Sequence, residues 1–384
     1  MIYFRSSNII SSLGFDTKET FNSMLRGDIG ISSINNKKYY PEVFPASMID
    51  EVKLEKEFEI VATKYANTKK YTKLEKMIIV SVYDALSKTD VDIKSKHTAI
   101  ILSTTKGNIE LLSGDNNSFD YNRVLLWRLG EIIQDFFNNP NNAIVISNAC
   151  ISGVLAINSA AMYIEAGMYD NIVVTGGDIV SRFVVSGFMS FMSLSPTACK
   201  PFDVNRDGLS LGEAAGTVVL SKFKNNNQQN IVFKGGATAN DANHISGPSR
   251  TAEGSFVAIG KALAEADMSS SHIDHISAHG TATSYNDEME SIAIERQNLL
   301  HASVNTIKGY LGHTLGAAGI IETAILLEEM NRNIILKTAG FEKSGVSQPI
   351  NIVNKTNNKE ITCCLKLASG FGGSNAAMII SKDL

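Results

Sequence analysis

The chain is poor in cysteine, with four in 384 residues (Cys150, Cys199, Cys363 and Cys364) at irregular spacing. That spacing matches neither a zinc-ligand pattern nor a disulfide framework, so a reducing compartment is expected. It also lacks any apolar run approaching the length of a membrane span, and Met1 to Ser11 lacks the basic-then-apolar order of a secretory signal. A cytoplasmic protein is the expectation. Charge of one sign is missing too: 35 Lys and Arg stand against 39 Asp and Glu, a net −4 that argues against a general nucleic-acid binder. What remains, 44% hydrophobic and 19% charged residues, is enough to bury a large core without staples.

Against that background Cys150 stands out, in Ser147-Asn148-Ala149-Cys150-Ile151-Ser152-Gly153. Asn142 to Ile146 reads as a short apolar strand, and Val154 to Ala166 places Ala, Ile and Ser at helical spacing without Gly or Pro. The thiol is therefore expected beside the first turn of a helix, where free N–H groups and the helix dipole favour the thiolate. A tight strand-to-helix turn also pushes a nucleophile outward. Taken alone a lone cysteine is most simply a core residue. Cys363 and Cys364, in an apolar strand-like run, read that way.

The segment Ala143 to Asp178 reads strand, helix, strand, which implies parallel strands with a crossover helix. A second version follows residue 300: Ser303 to Thr306, then Gly312-His313-Thr314-Leu315-Gly316-Ala317-Ala318-Gly319 and an apolar helix through Met330. A Gly follows Cys150 by three residues, and another follows His313 by the same offset, a weak internal repeat. If the units are related by approximate twofold symmetry, two helix N-termini converge and bring Cys150 near His313. The polar run 224–230 reads as a linker between halves 1–223 and 231–384, with Val218 to Leu220 closing one sheet and Ile231 to Phe233 opening another. A layered α/β architecture with two internally similar halves is expected.

Three polar motifs lie in the second half. Ser277-Ala278-His279-Gly280-Thr281-Ala282-Thr283 follows a strand-like Ile273 to Ile276, so His279 falls at a strand end, the usual edge for catalytic groups. Lys308 precedes His313, and Glu322 lies nine residues after it; a buried Lys–Glu pair is expected to orient His313. Ser369-Gly370-Phe371-Gly372-Gly373-Ser374-Asn375 is a glycine loop between two strand-like runs, suited to pointing backbone N–H groups at an oxyanion. Singly, each has a structural explanation. Together a thiol, two imidazoles, a lysine and a glycine loop form the set that acyl transfer through a thioester requires. A Cys-His protease would need one His and an orienting Asn or Asp, and would have no use for the second imidazole.

These motifs, with Lys200-Pro201-Phe202-Asp203, Arg206-Asp207-Gly208 and Gly212-Glu213-Ala214-Ala215-Gly216, resemble the β-ketoacyl-acyl-carrier-protein synthases, the condensing enzymes of fatty-acid and polyketide synthesis. The resemblance spans nearly the whole chain. Having both His279 and His313, the chain is similar to the two-histidine, chain-elongating branch, since the branch that starts from coenzyme A has Asn in place of the second His. The resemblance implies a thiolase-like layered α-β-α-β-α fold with two pseudo-symmetric halves. It implies that Cys150 holds the acyl chain, that the N–H groups of Cys150 and Phe371 form the oxyanion hole beside Gly372, and that His279 and His313 stabilise an enolate left by malonyl decarboxylation. Lys308 and Glu322 would fix the site electrostatically. Thr281 and Thr283 would hold the phosphopantetheine arm of an acyl carrier protein, and Phe371 would gate the acyl pocket. No metal or permanently bound cofactor is implied.

Departures fall at the pocket mouth and gate: Ser284 replaces a proline after the HGTxT motif, Ser369 an aromatic residue, and Gly309-Tyr310 a small-then-Met pair. The KGYxGHTLGAAG form looks more like discrete ketosynthases of aryl-polyene or flexirubin-type pigment synthesis. Phe188, Phe191 and Met192 lie in an unusually apolar connecting segment that is expected to line the acyl channel or a dimer contact. Lys64, Lys69, Lys70, Lys73 and Lys76 form a basic cluster suited to an acidic carrier protein, or simply a solvated helix start, whereas Met192 stands where the family often has a docking arginine. A homodimer, or a heterodimer with a related subunit, is expected. Two other readings are a catalytically silent partner subunit, against which the intact Cys150 and histidines speak, and a thiolase, which usually needs a second reactive cysteine near the C-terminus.

Overall fold

The computed structural model describes residues 1–113, 118–225, 230–241, 247 and 249–383. Of the expected linker, residues 226–229 lie outside the described residues. An eleven-stranded sheet runs in the order Asn351–Ile352, Ser303–Asn305, His275–Ser277, Cys363–Gly370, Ser374–Lys382, Ile231–Asn240, Ile2–Ile10, Ala214–Ser221, Asn171–Asp178, Thr98–Ser103, Ile144–Ile146. The crossover units expected around Cys150 and after residue 300 give parallel pairs, Thr98–Ser103 with both of its neighbours and Ser303–Asn305 with both of its own. One expectation is corrected. The strands 214–221 and 231–240 do not belong to separate sheets: the first strand of the chain lies between them, antiparallel to both.

Period-2 alternation sorts the strand side chains into layers. Ile100 and Leu102 face a core built with the helices Glu51–Lys64, Lys73–Ser87 and Leu126–Phe137, whereas Ala99 and Ile101 face a central core. In the other half Leu365 and Leu367 face the helices Glu253–Glu265 and Ser284–Arg296, and Cys364 and Ala368 face the same central core. That central core holds the helices Ser152–Glu165 and Ala318–Arg332. Helix, one wing of the sheet, helix pair, the other wing of the sheet, helix: the fold is the thiolase-like layered α/β architecture. Both structural cysteines, Cys363 and Cys364, are buried in it, as read from their apolar run.

The two central helices meet at their first turns. A Cβ on Gly153 would stand 2.8 Å from the Ile320 nitrogen, and one on Gly319 would stand 2.4 Å from the Val154 nitrogen. Neither position can take any side chain without moving backbone. The repeat offset had pointed to Gly316 as the counterpart of Gly153. Gly316 instead packs on Asp178 and the Thr104–Thr105 backbone, donating its N–H to Asp178 Oδ2 at 2.7 Å.

Helix propensity alone makes Gly→Ala stabilising by about 0.8–1.0 kcal/mol. Here the backbone contact reverses the sign: Gly153→Ala and Gly319→Ala are each expected to cost about 1–3 kcal/mol of stability. Denaturant unfolding midpoints measure this directly, and a raised midpoint in either variant contradicts the close approach.

Candidate active site

Cys150 follows Ala149, which adopts a left-handed φ of 44°. For a residue with a Cβ this conformation costs roughly 1–2 kcal/mol, and the turn is held by Ser152, whose hydroxyl donates to Ala149 O at 2.6 Å and accepts from Asn148 N at 2.8 Å. The helix itself begins at Ser152. The thiol thus sits just ahead of the first turn, as expected. Its ionisation is not as expected: burial dominates, and the thiol is pushed up to about 11 despite Lys308, Lys106 and the Phe371 N–H, which favour the thiolate. At neutral pH Cys150 therefore carries a protonated thiol.

The Cys150 sulfur and one ring nitrogen each from His279 and His313 lie within 4.8 Å of one another. The two rings are 5.2 Å apart and nearly perpendicular. Burial, reinforced by the Lys308 charge, holds both imidazoles well below the usual histidine range, so both are neutral at pH 7. Lys308 Nζ lies 3.2 Å from His279 Nδ1 and donates to the His279 carbonyl at 2.6 Å. An ammonium has only protons to offer, so Nδ1 must accept and the His279 proton sits on Nε2. The expected ion pair of Lys308 with Glu322 forms, at 2.5 Å, but its hydrogen bonds run to His279, not to His313.

Several groups that the motif reading passed over complete the site. Lys366 is fully buried in the strand Cys363–Gly370 and binds the second Glu322 oxygen at 2.7 Å, giving a Lys–Glu–Lys bridge. Glu290 accepts the His279 and Gly280 N–H groups, each at 2.6 Å, and Asp287 accepts from Phe202 N at 2.6 Å and Ala282 N at 3.2 Å. Asp178 accepts from Thr105 N at 2.9 Å and Gly316 N at 2.7 Å, tying the His313 loop to the first half. A lysine in an otherwise apolar strand and two acids one helical turn apart after the HGTxT motif were the available signals.

The glycine loop meets Cys150. A Cβ on Gly370 would stand 3.0 Å from Cys150 N, and the Ser374 hydroxyl donates to Asn148 Oδ1 at 2.9 Å. The Phe371 N–H is among the groups that favour the Cys150 thiolate. A cavity of about 420 Å³ is lined by Cys150, His279, His313, Thr281, Thr283, Phe188, Phe191, Met192 and Phe371. The segment expected to be a connection is helical, Arg182–Ser190, capped by Ser181. Phe188 stacks on Phe371 at 5.8 Å, and Phe191 meets Phe371 edge-on at 5.3 Å. Gly309 is required because a Cβ would fall 2.1 Å from Ala339 O, and the buried Tyr310 anchors its hydroxyl on Lys337 O, so the departure at these positions fixes Lys308 in place.

The first β-ketoacyl synthase domain model, "Beta-ketoacyl synthase, N-terminal domain", matches residues 8–226, and "Beta-ketoacyl synthase, C-terminal domain" matches residues 231–342. A putative mitochondrial 3-oxoacyl-[acyl-carrier-protein] synthase of Schizosaccharomyces pombe is 27% identical over 98% of this chain and 97% of its own length. The 3-oxoacyl-[acyl-carrier-protein] synthase 2 of Rhizobium meliloti is 31% identical over 68% of this chain and 65% of its own. A ketosynthase solved in complex with its chain length factor, from Xenorhabdus doucetiae, superposes with a TM-score of 0.87 at 24% identity, covering 99% of this chain and 98% of that one.

Two outcomes test the electrostatics. Glu322→Gln strands two buried lysines and is expected to lose about 3–5 kcal/mol in urea unfolding, whereas Glu253→Gln, on the partly exposed Arg296 pair, loses about 1 kcal/mol or less. Alkylation of Cys150 by iodoacetamide is expected to climb about tenfold per pH unit with no plateau between pH 6 and 9, because only the thiolate reacts and its fraction keeps growing below its pKa. A plateau below pH 7 would show a helix-activated thiolate instead.

Proposed function

Because the chain belongs to the β-ketoacyl synthase family, we propose that the residues around its cavity divide the labour of a decarboxylative condensation as follows. The chain is a condensing, acyl-transferring enzyme; the residue roles, carrier and pathway are the reading advanced here. Cys150 attacks the acyl thioester, and its proton ends on the departing pantetheine sulfur, relayed by His313, whose ring no lysine occupies. The N–H groups of Cys150 and Phe371 receive the oxyanion. Loss of carbon dioxide from malonyl on the carrier arm then leaves an enolate, which accepts hydrogen bonds from His279 Nε2–H and His313. The enolate carbon attacks the acyl–Cys150 carbonyl, and the released thiolate takes a proton from solvent.

The single observation that carries this reading is the tautomer lock. A donor-only lysine on His279 Nδ1 presents an N–H to the cavity, where an anion forms and water is displaced. Lys308, Glu322 and Lys366 act through that ring as positioning groups. Thr281 and Thr283, whose hydroxyls are 2.9 Å apart at the cavity wall, are assigned to the pantetheine arm. The thiolase alternative is not favoured, since the cavity is lined by Cys150 alone of the four cysteines. The reading needs no resident metal or cofactor, only the phosphopantetheine arm as carrier of substrate.

An acyl carrier protein is the proposed partner. Lys73 and Lys76 of the basic cluster are already matched by Glu213, Glu51 and Glu55, which leaves Lys64, Lys69 and Lys70 to present net charge. Association as a homodimer or with a related subunit is supported by the half-exposed edge strand Ile144–Ile146. No helix among the described residues is long and apolar enough to cross a membrane. A cytoplasmic setting is part of the proposal, in keeping with four unpaired thiols. The division of roles between halves 1–223 and 231–384, and a place in fatty-acid, polyene or polyketide synthesis, belong to the same proposal.

Cys150→Ala is expected to give no acyl adduct by intact mass with acyl carrier protein. His313→Ala is expected to lower malonyl decarboxylation about 10²–10³-fold, the usual effect of removing one donor to a developing anion. Decarboxylation at the normal rate in that variant removes His313 from the mechanism.

A further inference from the structure

Among the described residues, Cys150, His279 and His313 form a compact set of one sulfur and two imidazole donors with ligand atoms within 4.8 Å of one another. We infer that this trio is a chelating site for a borderline-soft divalent cation, Zn²⁺ in the first instance, which binds as a reversible inhibitor.

Three protein ligands plus one open position is the arrangement zinc takes in catalytic sites, and sulfur with imidazole is a donor set that suits zinc and not hard cations such as Mg²⁺. At Zn–N of about 2.0–2.1 Å and Zn–S of about 2.3 Å, tetrahedral ligand pairs stand roughly 3.3–3.6 Å apart. The side chains therefore need to close by about 1 Å, within the reach of small χ rotations in a ready-made cavity of about 420 Å³. The cavity mouth supplies the entry path, bordered by the exposed Met192 and Tyr285. Coordination replaces the S–H bond of Cys150 by an S–metal bond, and the proton leaves to solvent.

Charge around the trio permits a cation. Lys308 and Lys366 are offset by the buried carboxylates of Glu322 and Glu290. The outer partner of His279 limits its strength. In resident zinc sites the far nitrogen of a ligating imidazole usually donates to a carboxylate or carbonyl, and loss of such a partner lowers affinity 10–100-fold. Here the far nitrogen accepts from Lys308, the reverse polarity. The site thus suits a cation that comes and goes. While present, the cation occupies the sulfur that must take the acyl group and the nitrogens that must face the enolate.

The experiment needs no acyl substrate, so its outcome is separate from that of the proposed reaction. The full-length protein is incubated with micromolar Zn²⁺ in a non-chelating buffer, and iodoacetamide labelling of Cys150 is followed by peptide mass. Labelling is expected to slow at least tenfold, to recover with EDTA, and to be unaffected by Mg²⁺. With Co²⁺ as a spectroscopic stand-in, a thiolate charge-transfer band is expected in the native protein, absent from Cys150→Ser and needing at least tenfold more metal in His313→Gln. Unchanged labelling in Zn²⁺, or a band that persists in Cys150→Ser, overturns the inference, the latter placing the cation on another cysteine. If labelling slows yet no condensation is ever detected, the chelating site stands and the proposed reaction falls.

Discussion

Two backbones touching at Gly153 and Gly319 are the constraint from which the site follows. Each glycine lies in the first turn of a central helix, and each helix is preceded by a loop that carries a reactive side chain, Cys150 in one and His313 in the other. Bringing the helix starts into van der Waals contact sets the thiol and the imidazole side by side without any direct bond between them. Ser103 and Asp178 then fasten the His313 loop to the first half, through Gly316 O and Gly316 N. The reactive geometry is a by-product of core packing. The backbone at this junction is accordingly rigid, since a close-packed interior moves in discrete rearrangements and not by gradual drift, whereas the side chains that face the cavity keep room for small rotations.

Around this junction the protein buries an unusual amount of charge. Lys308, Lys366, Glu322 and Glu290 are all 4% exposed or less. Buried ions are costly even when paired, so their presence calls for a purpose other than stability. The geometry supplies one: each charge is spent on orienting His279. Lys308 fixes its ring, Glu290 fixes its backbone, and Glu322 with Lys366 fixes Lys308. Burial pushes the Glu290 carboxyl up and the Lys366 ammonium down, and the hydrogen bonds and counter-charges oppose both shifts. The outcome is one buried imidazole with a defined tautomer at the cavity wall.

The reacting groups were legible in the sequence because each is announced locally. Cys150, His279 and His313 sit beside glycines at the ends of apolar runs, and the GFGG loop lies between two such runs. The layers were legible from alternation within the strands. What sequence spacing could not show is which polar group meets which across long separations: Asp178 with Gly316 is 138 residues apart, and Asp287 with Phe202 is 85. The thiolate expectation failed for a related reason. A helix start was readable, but the depth of burial that outweighs it depends on the second half closing over Cys150. The expected sheet boundary at 224–230 failed because strand partners of the N-terminal segment are not encoded in its own pattern.

Phe371 stands with one foot in each of two tasks. Its ring packs against Phe188 and Phe191, and its peptide N–H favours the thiolate of Cys150. Under the proposed roles, reshaping the aromatic wall to accept a wider or longer guest also retunes the polarity felt by an acyl thioester on Cys150. Breadth of substrate and speed of chemistry are tied at one residue, and engineering that seeks to vary them separately has to leave position 371 alone and carve the chamber from the helix side.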